Sequence, residues 1–251
     1  MCGRFGLHLP AKTIADFFLT LNEPQIPPRY NITPMQDILI VRDDEQEKGR
    51  IAVYHRWGLI PFWAKDEKIG AKLSNARSES LAEKPSFRAA LRYRRCVIPV
   101  SGFYEWKREG GRKQPYYIQA AEGDLLAFAG LWETWTGPDG RLIFSATIVT
   151  TAANRQMEQV HHRMPAVLDR DQAALWLDAS QNRVKELRPL LKPLPEGALV
   201  LRPVSTFVNR AGNEGPRCIE PPGEGSPTAD EGKKGDGADP SPPEGEQLSL
   251  F

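Results

Sequence analysis

The sequence predicts an α+β fold: a single domain with a mostly antiparallel, twisted and barrel-like β core, peripheral helices and a disordered C-terminal tail. Three observations lead to this prediction. The chain has 251 residues, of which 40% are hydrophobic, which is enough for one substantial buried core. Strand-like and helix-like segments are intermixed, without the regular alternation of a parallel α/β sheet. The composition changes abruptly near residue 221, where apolar side chains nearly vanish.

In the first half of the chain, hydrophobic spacing predicts one helix followed by strands. Residues 11–21 place four apolar side chains at helical spacing. Residues 37–42 and 50–57 have the composition of short strands around a polar turn. Residues 96–106 and 114–120 are joined by a Glu-Gly-Gly-Arg turn, which predicts a hairpin.

The second half of the chain continues this pattern. Residues 125–132 and 142–150 are predicted strands, because they are rich in β-branched and aromatic side chains. The predicted helices are residues 152–159, 171–178 and 181–190. With no internal repeat in the sequence, all of these elements are assigned to one domain over residues 1–220.

Residues 221–246 are predicted to be a disordered linker, because they combine six prolines and six glycines with few apolar side chains. The linker carries seven acidic and two basic side chains, so that residues 1–220 hold 31 basic and 25 acidic groups, a formal charge of +6. This charge favours a polyanionic partner, although an ordinary solvated surface would have the same balance.

Composition also excludes several classes of protein. No run approaches the roughly 18 apolar residues that a membrane span needs, and the N-terminus lacks the pattern of a secretory signal. We therefore expect a cytoplasmic monomer with no membrane partner. The three cysteines, Cys2, Cys96 and Cys218, are odd in number and widely spaced, which argues against a disulfide framework and a zinc site. No metal and no cofactor are expected.

Cys2 is the most informative residue for chemistry. Removal of the initiator methionine would leave an α-amine and a thiol on one residue. The amine can condense with an aldehyde to a Schiff base, and the thiolate can then close a five-membered thiazolidine ring. A cysteine at position 2 is more often incidental, so that this hypothesis needs support from other residues.

Three later segments carry polar residues without an obvious structural role. Residues 74–79 place Asn75 and Arg77 before a helix-like stretch, where helix capping is the alternative interpretation. Glu105 lies between two aromatics in a predicted strand, where burial would raise its pKa and suit it to proton transfer; a carboxylate facing water is the alternative. His161 and His162 are adjacent, so that we expect one of them to reach a given site.

Six motifs together resemble the SOS-response-associated peptidase (SRAP) family. They occur in order as Met-Cys-Gly-Arg-Phe at residues 1–5, RYNITP at 29–34, WGLIP at 57–61, NARSE at 75–79, GFYEW at 102–106 and HHRMP at 161–165. The resemblance covers most of the chain from Cys2 to about Val208. It implies a protein that crosslinks itself to abasic sites in single-stranded DNA, shields them, and removes its own initiator methionine.

The resemblance also implies roles for individual residues. Cys2 would be the nucleophile and the point of attachment to DNA. Asn75 would hold the cysteine or the opened sugar, and Glu105 would be the general acid and base. His161 would assist opening of the sugar ring, and His162 is left as a structural residue.

Further positions would bind the DNA strand. Arg4, Arg77 and Arg163 are candidates for phosphate contacts, which the positive charge of the domain favours. Pro34, Phe62 and Trp63 are candidates for contacts with the strand, the two aromatics by stacking on bases that flank the lesion. A place in the hydrophobic core is the alternative interpretation of Phe62 and Trp63.

The last five residues, 247–251, resemble the short peptide by which bacterial polymerases and repair proteins bind the β sliding clamp. Its candidate contacts are Gln247, Leu248, Leu250 and Phe251. The linker before it has an r.m.s. reach of roughly 25–31 Å, so that it could tether the domain near replication forks. A frayed terminus is the alternative.

Two other functions remain open. Met-Cys-Gly also begins N-terminal-nucleophile amidotransferases, in which Cys2 would attack glutamine, although further glutamine-binding motifs are not found. The other alternative is a non-covalent module for single-stranded DNA, without chemistry at Cys2. A glutaminase assay and a test for heat-stable adducts would separate these functions from covalent capture.

Overall fold

The α+β prediction is confirmed by a computed structural model, which describes residues 2–180 and 184–223. The strands are β1 (Phe5–Leu7), β2 (Arg29–Ile32), β3 (Asp37–Asp44), β4 (Gly49–Trp57), β5 (Asn75–Arg77), β6 (Arg95–Val100), β7 (Gly102–Glu109), β8 (Arg112–Ala120), β9 (Leu126–Thr136), β10 (Leu142–Ala152), β11 (Arg163–Pro165), β12 (Val167–Leu168) and β13 (Leu199–Pro203). The helices are α1 (Ala11–Phe18), α2 (Arg88–Tyr93), α3 (Arg155–Glu158), α4 (Arg170–Leu177) and α5 (Val184–Leu187). Five 3-10 turns occur at Glu67–Lys72, Ser78–Ser80, Arg188–Leu190, Thr206–Asn209 and Pro216–Ile219.

A closed barrel forms the centre of the molecule. Strands β10, β4, β3, β6 and β9 follow one another around it, and β9 pairs with β10 to close the ring. Most pairings are antiparallel, as predicted, but β10 pairs in parallel with both β4 and β5. A second sheet, in the order β13-β8-β7-β1-β2, packs beside the barrel. Closure removes the exposed edges that an open sheet would leave.

The core fills the barrel and the interface with the second sheet. Every residue of β6 is buried, including Val97 and Ile98, because this strand lies between the barrel interior and the surrounding elements. Phe103 of β7 packs edge-on against Phe128 of β9, with ring centroids 5.6 Å apart. Burial of such side chains supplies most of the driving force for folding.

The predicted strand over residues 96–106 is wrong as a single element. The chain breaks at Ser101, whose backbone N–H donates to the Gly6 carbonyl at 2.9 Å, so that β6 belongs to the barrel and β7 to the second sheet. A Cβ at Gly102 would lie 2.3 Å from the Tyr117 ring, which is why a glycine occupies the crossing point. The break places Glu105 on the second sheet, at the edge of the candidate site.

The helices are shorter than the hydrophobic spacing predicts. Helix α1 ends at Phe18 because Leu19 adopts a left-handed conformation with φ 55°, so that residues up to 21 do not continue it. Of the predicted helix over residues 152–159, only the four residues of α3 are helical, and α3 begins after an Asn154 cap. Helix α4 confirms the helix over residues 171–178 and begins with a capping box at Asp169. Of residues 181–190, the first three lie outside the described part of the chain.

The described residues end at position 223. The predicted linker over residues 221–246 lies outside them from residue 224 onward, as do the candidate clamp contacts Gln247, Leu248, Leu250 and Phe251. In the part of the chain that the structure describes, no helix is long and apolar enough to span a membrane.

Candidate functional site

A cleft of about 910 Å³, here called the main cleft, opens between the β7–β8 hairpin and the segment that follows α3. Four residues singled out from the sequence line it: Arg4, Glu105, His161 and His162. The 3-10 turn Thr206–Asn209 contributes Asn209 to the same wall. The topology thus brings together residues from both ends and the middle of the domain.

Cys2 is fully buried next to this cleft. Its Sγ lies 3.8 Å from the Arg4 carbonyl oxygen, and its own carbonyl accepts a hydrogen bond from Asn75 Nδ2 at 2.8 Å. Burial raises the pKa of the Cys2 thiol, and the negative charge of Glu105 raises it further. The thiol is therefore protonated at neutral pH, and a nearby base is needed before it can act as a nucleophile.

Asn75 is held at the site by strand pairing. It opens β5, which runs parallel to β10 with Asn75 opposite Ile148. The helix-capping interpretation of this segment is wrong, because the 3-10 turn Ser78–Ser80 has no side-chain cap and the Asn75 amide bonds to Cys2 instead. Among the described residues no group donates to the buried Asn75 Oδ1. The site therefore holds a buried acceptor that is available to a further donor.

Glu105 is buried on β7, with 5% of its surface exposed, so that the water-facing alternative is wrong. Strand β7 pairs along its length with β8, which places Glu105 opposite Tyr116. Burial raises the pKa of Glu105 to about 7, although the positive charge of the N-terminal amine lowers it. Near neutral pH the carboxyl is therefore present in both its protonated and its ionised form, as a general acid and base requires.

Both histidines line the main cleft, so that the expectation of a single histidine at the site is wrong. Their rings stack with centroids 4.4 Å apart and an interplanar angle of 25°. His161 Nδ1 lies 3.0 Å from the backbone nitrogen of Arg163, which fixes the orientation of the ring. Burial lowers the pKa of His161, and the N-terminal charge lowers it further, which favours the neutral imidazole at pH 7.

The three candidate arginines differ in their surroundings. Arg4 donates to Asn31 Oδ1 at 3.2 Å and to the Val208 carbonyl, and its guanidinium lies 5.4 Å from the centre of the Trp106 ring. The Arg163 guanidinium is bound by a carboxylate at two points, with distances of 2.6 and 2.9 Å to the oxygens of Glu79. Arg77 is exposed at the end of β5.

Phe62 and Trp63 lie on the surface, with 60% and 47% of their area exposed. The hydrophobic-core interpretation of these two residues is therefore wrong. They follow Pro61 at the beginning of the segment that leads into the 3-10 turn Glu67–Lys72. Pro34 is half-buried. The exposed rings are available for stacking on unpaired bases, as in proteins that bind single-stranded nucleic acids.

Sequence reasoning missed much of the wall of the main cleft. Trp106, Lys107, Arg108 and Lys113 line it from the β7–β8 hairpin, together with Asn209. Trp106 Nε1 donates to Asn209 Oδ1 at 2.8 Å, which joins the hairpin to the 3-10 turn. The alternation of side chains along a strand could have identified Lys107, because it lies two residues after Glu105 and on the same face.

Within the described residues, no group of three or more histidine, cysteine, aspartate or glutamate side chains could hold a metal ion. The polar groups at or beside the main cleft include a thiol, a carboxyl, an imidazole and an amide. Fold and site thus define a class of barrel proteins with a cysteine-centred site at the start of the chain.

The comparisons with known proteins agree with this class. The family model described as SOS response associated peptidase (SRAP) matches residues 1–211, and the chain belongs to this family. Abasic site processing protein YoqW of Bacillus subtilis (strain 168) is 42% identical over 226 residues, which cover 88% of this chain and 99% of that protein.

More distant relatives share the same region. Abasic site processing protein HMCES of Gallus gallus is 35% identical over 231 residues, covering 80% of this chain and 68% of that protein. A crystal structure of a protein from Bacteroides thetaiotaomicron is 26% identical and superposes with a TM-score of 0.79, covering 88% of this chain and 99% of that one. The resemblance found in the motifs is therefore confirmed.

Proposed function

We propose that this protein recognises abasic sites in single-stranded DNA and captures them covalently through Cys2 after removal of Met1. The observation that carries the proposal is the grouping of Cys2, Asn75 and Glu105 beside the main cleft. The names of the relatives, which are abasic site processing proteins, support the same substrate.

The proposed reaction forms one ring and releases one water. The freed amine of Cys2 attacks the aldehyde carbon of the opened deoxyribose to form a carbinolamine. Loss of water leaves an imine. The Cys2 sulfur then bonds to the imine carbon while the thiol proton is transferred to the nitrogen, which closes the thiazolidine. No oxidant, metal or cofactor is consumed.

Glu105 has the properties that these proton transfers need. As an acid it protonates the carbinolamine oxygen when water leaves, and as a base it takes the proton from the Cys2 thiol, whose own pKa is raised by burial. Asn75 fixes the Cys2 backbone through its Nδ2, and its Oδ1 is available to accept a hydrogen bond from the freed amine. His161 would bond the sugar hydroxyl during ring opening.

The peptidase-like activity belongs to the same proposal. Hydrolysis of the bond between Met1 and Cys2 consumes one water and produces free methionine and the N-terminal amine of Cys2. We propose that the Cys2 thiol and Glu105 assist this hydrolysis. Intact-mass measurement should find a chain that begins at Cys2 in the wild type, whereas Glu105→Gln should accumulate chains that retain Met1. Equal retention in both would remove Glu105 from this step.

The DNA strand would lie along the main cleft. The hairpin wall of this cleft carries the positive charges of Lys107, Arg108 and Lys113. Arg77 is also exposed and follows Asn75 by two residues in β5. Exposed Phe62 and Trp63 favour a single strand, because stacking on a base requires that the base is unpaired. Arg4, Arg163 and Pro34 complete the proposed contacts.

We further propose that residues 1–220 form the working domain, residues 221–246 a linker, and residues 247–251 a peptide that binds the β sliding clamp. The tether would raise the local concentration of the domain at replication forks. Deletion of residues 247–251 should abolish binding to purified clamp while leaving DNA binding intact. Undiminished binding to the clamp would refute this part of the proposal.

The test of covalent capture uses an oligonucleotide with one abasic site and a denaturing gel. Wild-type protein should form an adduct that survives heating in detergent, and Cys2→Ala should form none. Cys218→Ala is a matched control, because it removes another buried free thiol. An adduct with Cys2→Ala would reject the chemistry, and glutamine hydrolysis without an adduct would support the amidotransferase instead.

A further inference from the structure

A second groove, here called the lateral groove, lies beside the main cleft and has no part in the proposed chemistry. It has a volume of about 420 Å³, and Thr151 at the end of β10 and Leu191 are among its buried lining residues. Lys185, Arg188 and Lys192 line it and are all exposed. The groove therefore combines a defined concave surface with a set of solvent-accessible cations.

The charge of the lateral groove is one-sided. Its three cations come from successive parts of the chain: Lys185 from α5, Arg188 from the start of the 3-10 turn Arg188–Leu190, and Lys192 from the segment just after that turn. Among the described residues that line the groove, the one carboxylate is Glu79. Its charge is balanced by the two-point contact with Arg163. An anion in the groove would thus meet uncompensated positive charge.

The ion pair of Arg163 and Glu79 connects the lateral groove with the main cleft. His161 lines the main cleft and lies two residues before Arg163, whereas Glu79 lines the lateral groove. Arg163 also donates to the Thr150 carbonyl at 2.8 Å, and the next residue of β10 lines the lateral groove. Thr151 of the lateral groove also pairs with Met164, the neighbour of Arg163, so that this ion pair and the β10–β11 pairing link the two concave surfaces.

We propose that the lateral groove binds the sugar-phosphate backbone of the DNA strand whose lesion occupies the main cleft. The inference rests on the proposed function and extends the contact surface of the same strand. Lysine and arginine side chains bind the phosphates of a nucleic acid strand, and such contacts do not depend on the base sequence. An acidic protein segment would satisfy the charge as well, but continuity with the main cleft favours a strand that leaves it.

The test measures non-covalent binding of unmodified single-stranded DNA by fluorescence anisotropy over a range of salt concentrations. Two oligonucleotides are compared, one of about 5 and one of about 20 nucleotides, which bracket the usual site sizes of single-strand binding domains. The variant replaces Lys185, Arg188 and Lys192 by alanine. For the long oligonucleotide, the slope of log affinity against log salt should fall in magnitude by about 2, since each lost phosphate contact removes about 0.7.

Two further variants separate this effect from general loss of charge and from misfolding. The matched control removes three lysines that lie outside both grooves, Lys12, Lys48 and Lys68, and should keep the wild-type slope. Exchange of the groove cations between lysine and arginine (Lys185→Arg, Arg188→Lys and Lys192→Arg) retains the charge and should retain the slope as well. The short oligonucleotide should show a much smaller change than the long one.

The possible outcomes distinguish failure of the lateral-groove inference from failure of the proposed function. A reduced slope that is confined to the long oligonucleotide and to the alanine variant supports the inference. An unchanged slope in that variant, with normal binding of DNA, overturns the inference and leaves the proposed function standing. Equal losses in the Lys12, Lys48 and Lys68 variant would overturn it too, because general charge would explain them. Absence of DNA binding by the wild-type protein would contradict the proposed function itself.

Discussion

Burial decides the chemistry of individual residues in this site. Glu105 and Cys2 are both buried, which disfavours the charged form of each and raises both pKa values. The effect on the carboxyl is useful because it moves the pKa to about 7, where proton transfer in both directions is efficient. The same burial destabilises the fold whenever Glu105 is ionised.

Glu105→Gln should therefore stabilise the protein at high pH. Because the folded-state pKa of about 7 exceeds the ordinary value of 4.5, the native state holds its proton longer and wild-type stability falls as pH rises through this window. The variant should exceed the wild type by about 3 kcal/mol in free energy of unfolding at pH 8, and match it at pH 4. Urea denaturation at both pH values measures this. Equal stability at pH 8 would show that Glu105 is not buried as described.

The same substitution should slow adduct formation by roughly 10²–10⁴-fold, as expected for the loss of an acid-base group. The wild-type profile should show an inflection near pH 7 that the variant lacks, while titration of the Cys2 α-amine affects both rates alike. The measurement is the initial rate on denaturing gels across this range of pH. An unchanged rate and an unchanged profile would restrict Glu105 to a structural role.

Asn75→Ala tests the positioning of Cys2. Loss of the 2.8 Å hydrogen bond to the Cys2 carbonyl frees the N-terminal segment, and a displacement of about 1 Å can slow a reaction by about 10²-fold. We expect slower adduct formation with little change in affinity for unmodified DNA. Asn22→Ala is the control, since it removes an exposed amide that bonds to Ala52 instead. A parallel loss of affinity and rate would indicate a binding role.

Part of the residue-level site could be predicted and part could not. Glu105 was identifiable because aromatic neighbours in a strand indicate burial. The pairing of Arg163 with Glu79 joins residues 84 positions apart, and local patterns contain no information on such contacts. The same is true of Asn209, which reaches the cleft through folding of the far end of the domain.

The positions at which strands and helices begin and end determine where the side chains of the candidate site lie. The break between β6 and β7 at Ser101 transfers the chain from the barrel to the second sheet, and the apolar residues on both sides of Ser101 and Gly102 conceal it in the sequence. Helix α1 is shorter than predicted for a related reason, since the spacing of apolar side chains continues past the left-handed Leu19. Periodicity predicted the type of most elements, whereas their ends depend on tertiary contacts.

The segment that bears Phe62 and Trp63 depends on a close approach of two glycines. A Cβ on Gly70 would lie 2.7 Å from the Gly58 carbonyl oxygen. Gly70→Ala should therefore displace the segment, lower the free energy of unfolding by about 1–3 kcal/mol, and weaken binding of single-stranded DNA. Gly212→Ala is the control, because no atom lies within 4 Å of its added Cβ. Denaturation and anisotropy measure both effects, and equal behaviour of the two variants would contradict the account.

At the scale of the whole molecule, the buried Asn31 joins the N-terminal part of the domain to residues 210–213, which follow strand β13. Asn31 Nδ2 donates to the carbonyls of Arg210 and Asn213 at 3.0 and 2.7 Å, and its Oδ1 accepts from Arg4. The segment after the last strand is thereby tied to β2 and to the wall of the main cleft. Short-range patterns did not predict this closure, since the partners lie about 180 residues apart.

Asn31→Ala should be among the more destabilising single substitutions of an amide in this chain. It removes the donor to the Arg210 and Asn213 carbonyls and one of the two oxygens that accept from the half-buried Arg4 guanidinium, for which we expect a loss of about 2–4 kcal/mol in free energy of unfolding. Asn31→Asp keeps an acceptor for Arg4 but loses both donors, so it should retain more DNA affinity than the alanine variant. Wild-type stability of Asn31→Ala would contradict the proposed link.

Charge is distributed unevenly along the chain, with +6 on residues 1–220 and −5 on residues 221–246. The barrel-like core could be predicted from the sequence, because strand-like and helix-like segments are intermixed without the regular alternation of a parallel α/β sheet. The main cleft, in contrast, could not be predicted from the sequence. Its basic wall depends on how the β7–β8 hairpin folds back toward His161, which only the three-dimensional arrangement reveals.

The most direct test of the central claim is peptide mapping of the protein–DNA adduct after nuclease digestion, with mass spectrometry and thiol alkylation. We expect that the sugar remnant lies on Cys2, that Met1 is absent, and that neither the amine nor the thiol of Cys2 reacts with the alkylating reagent. A remnant on another side chain, or an adduct whose chain still begins with Met1, would contradict it.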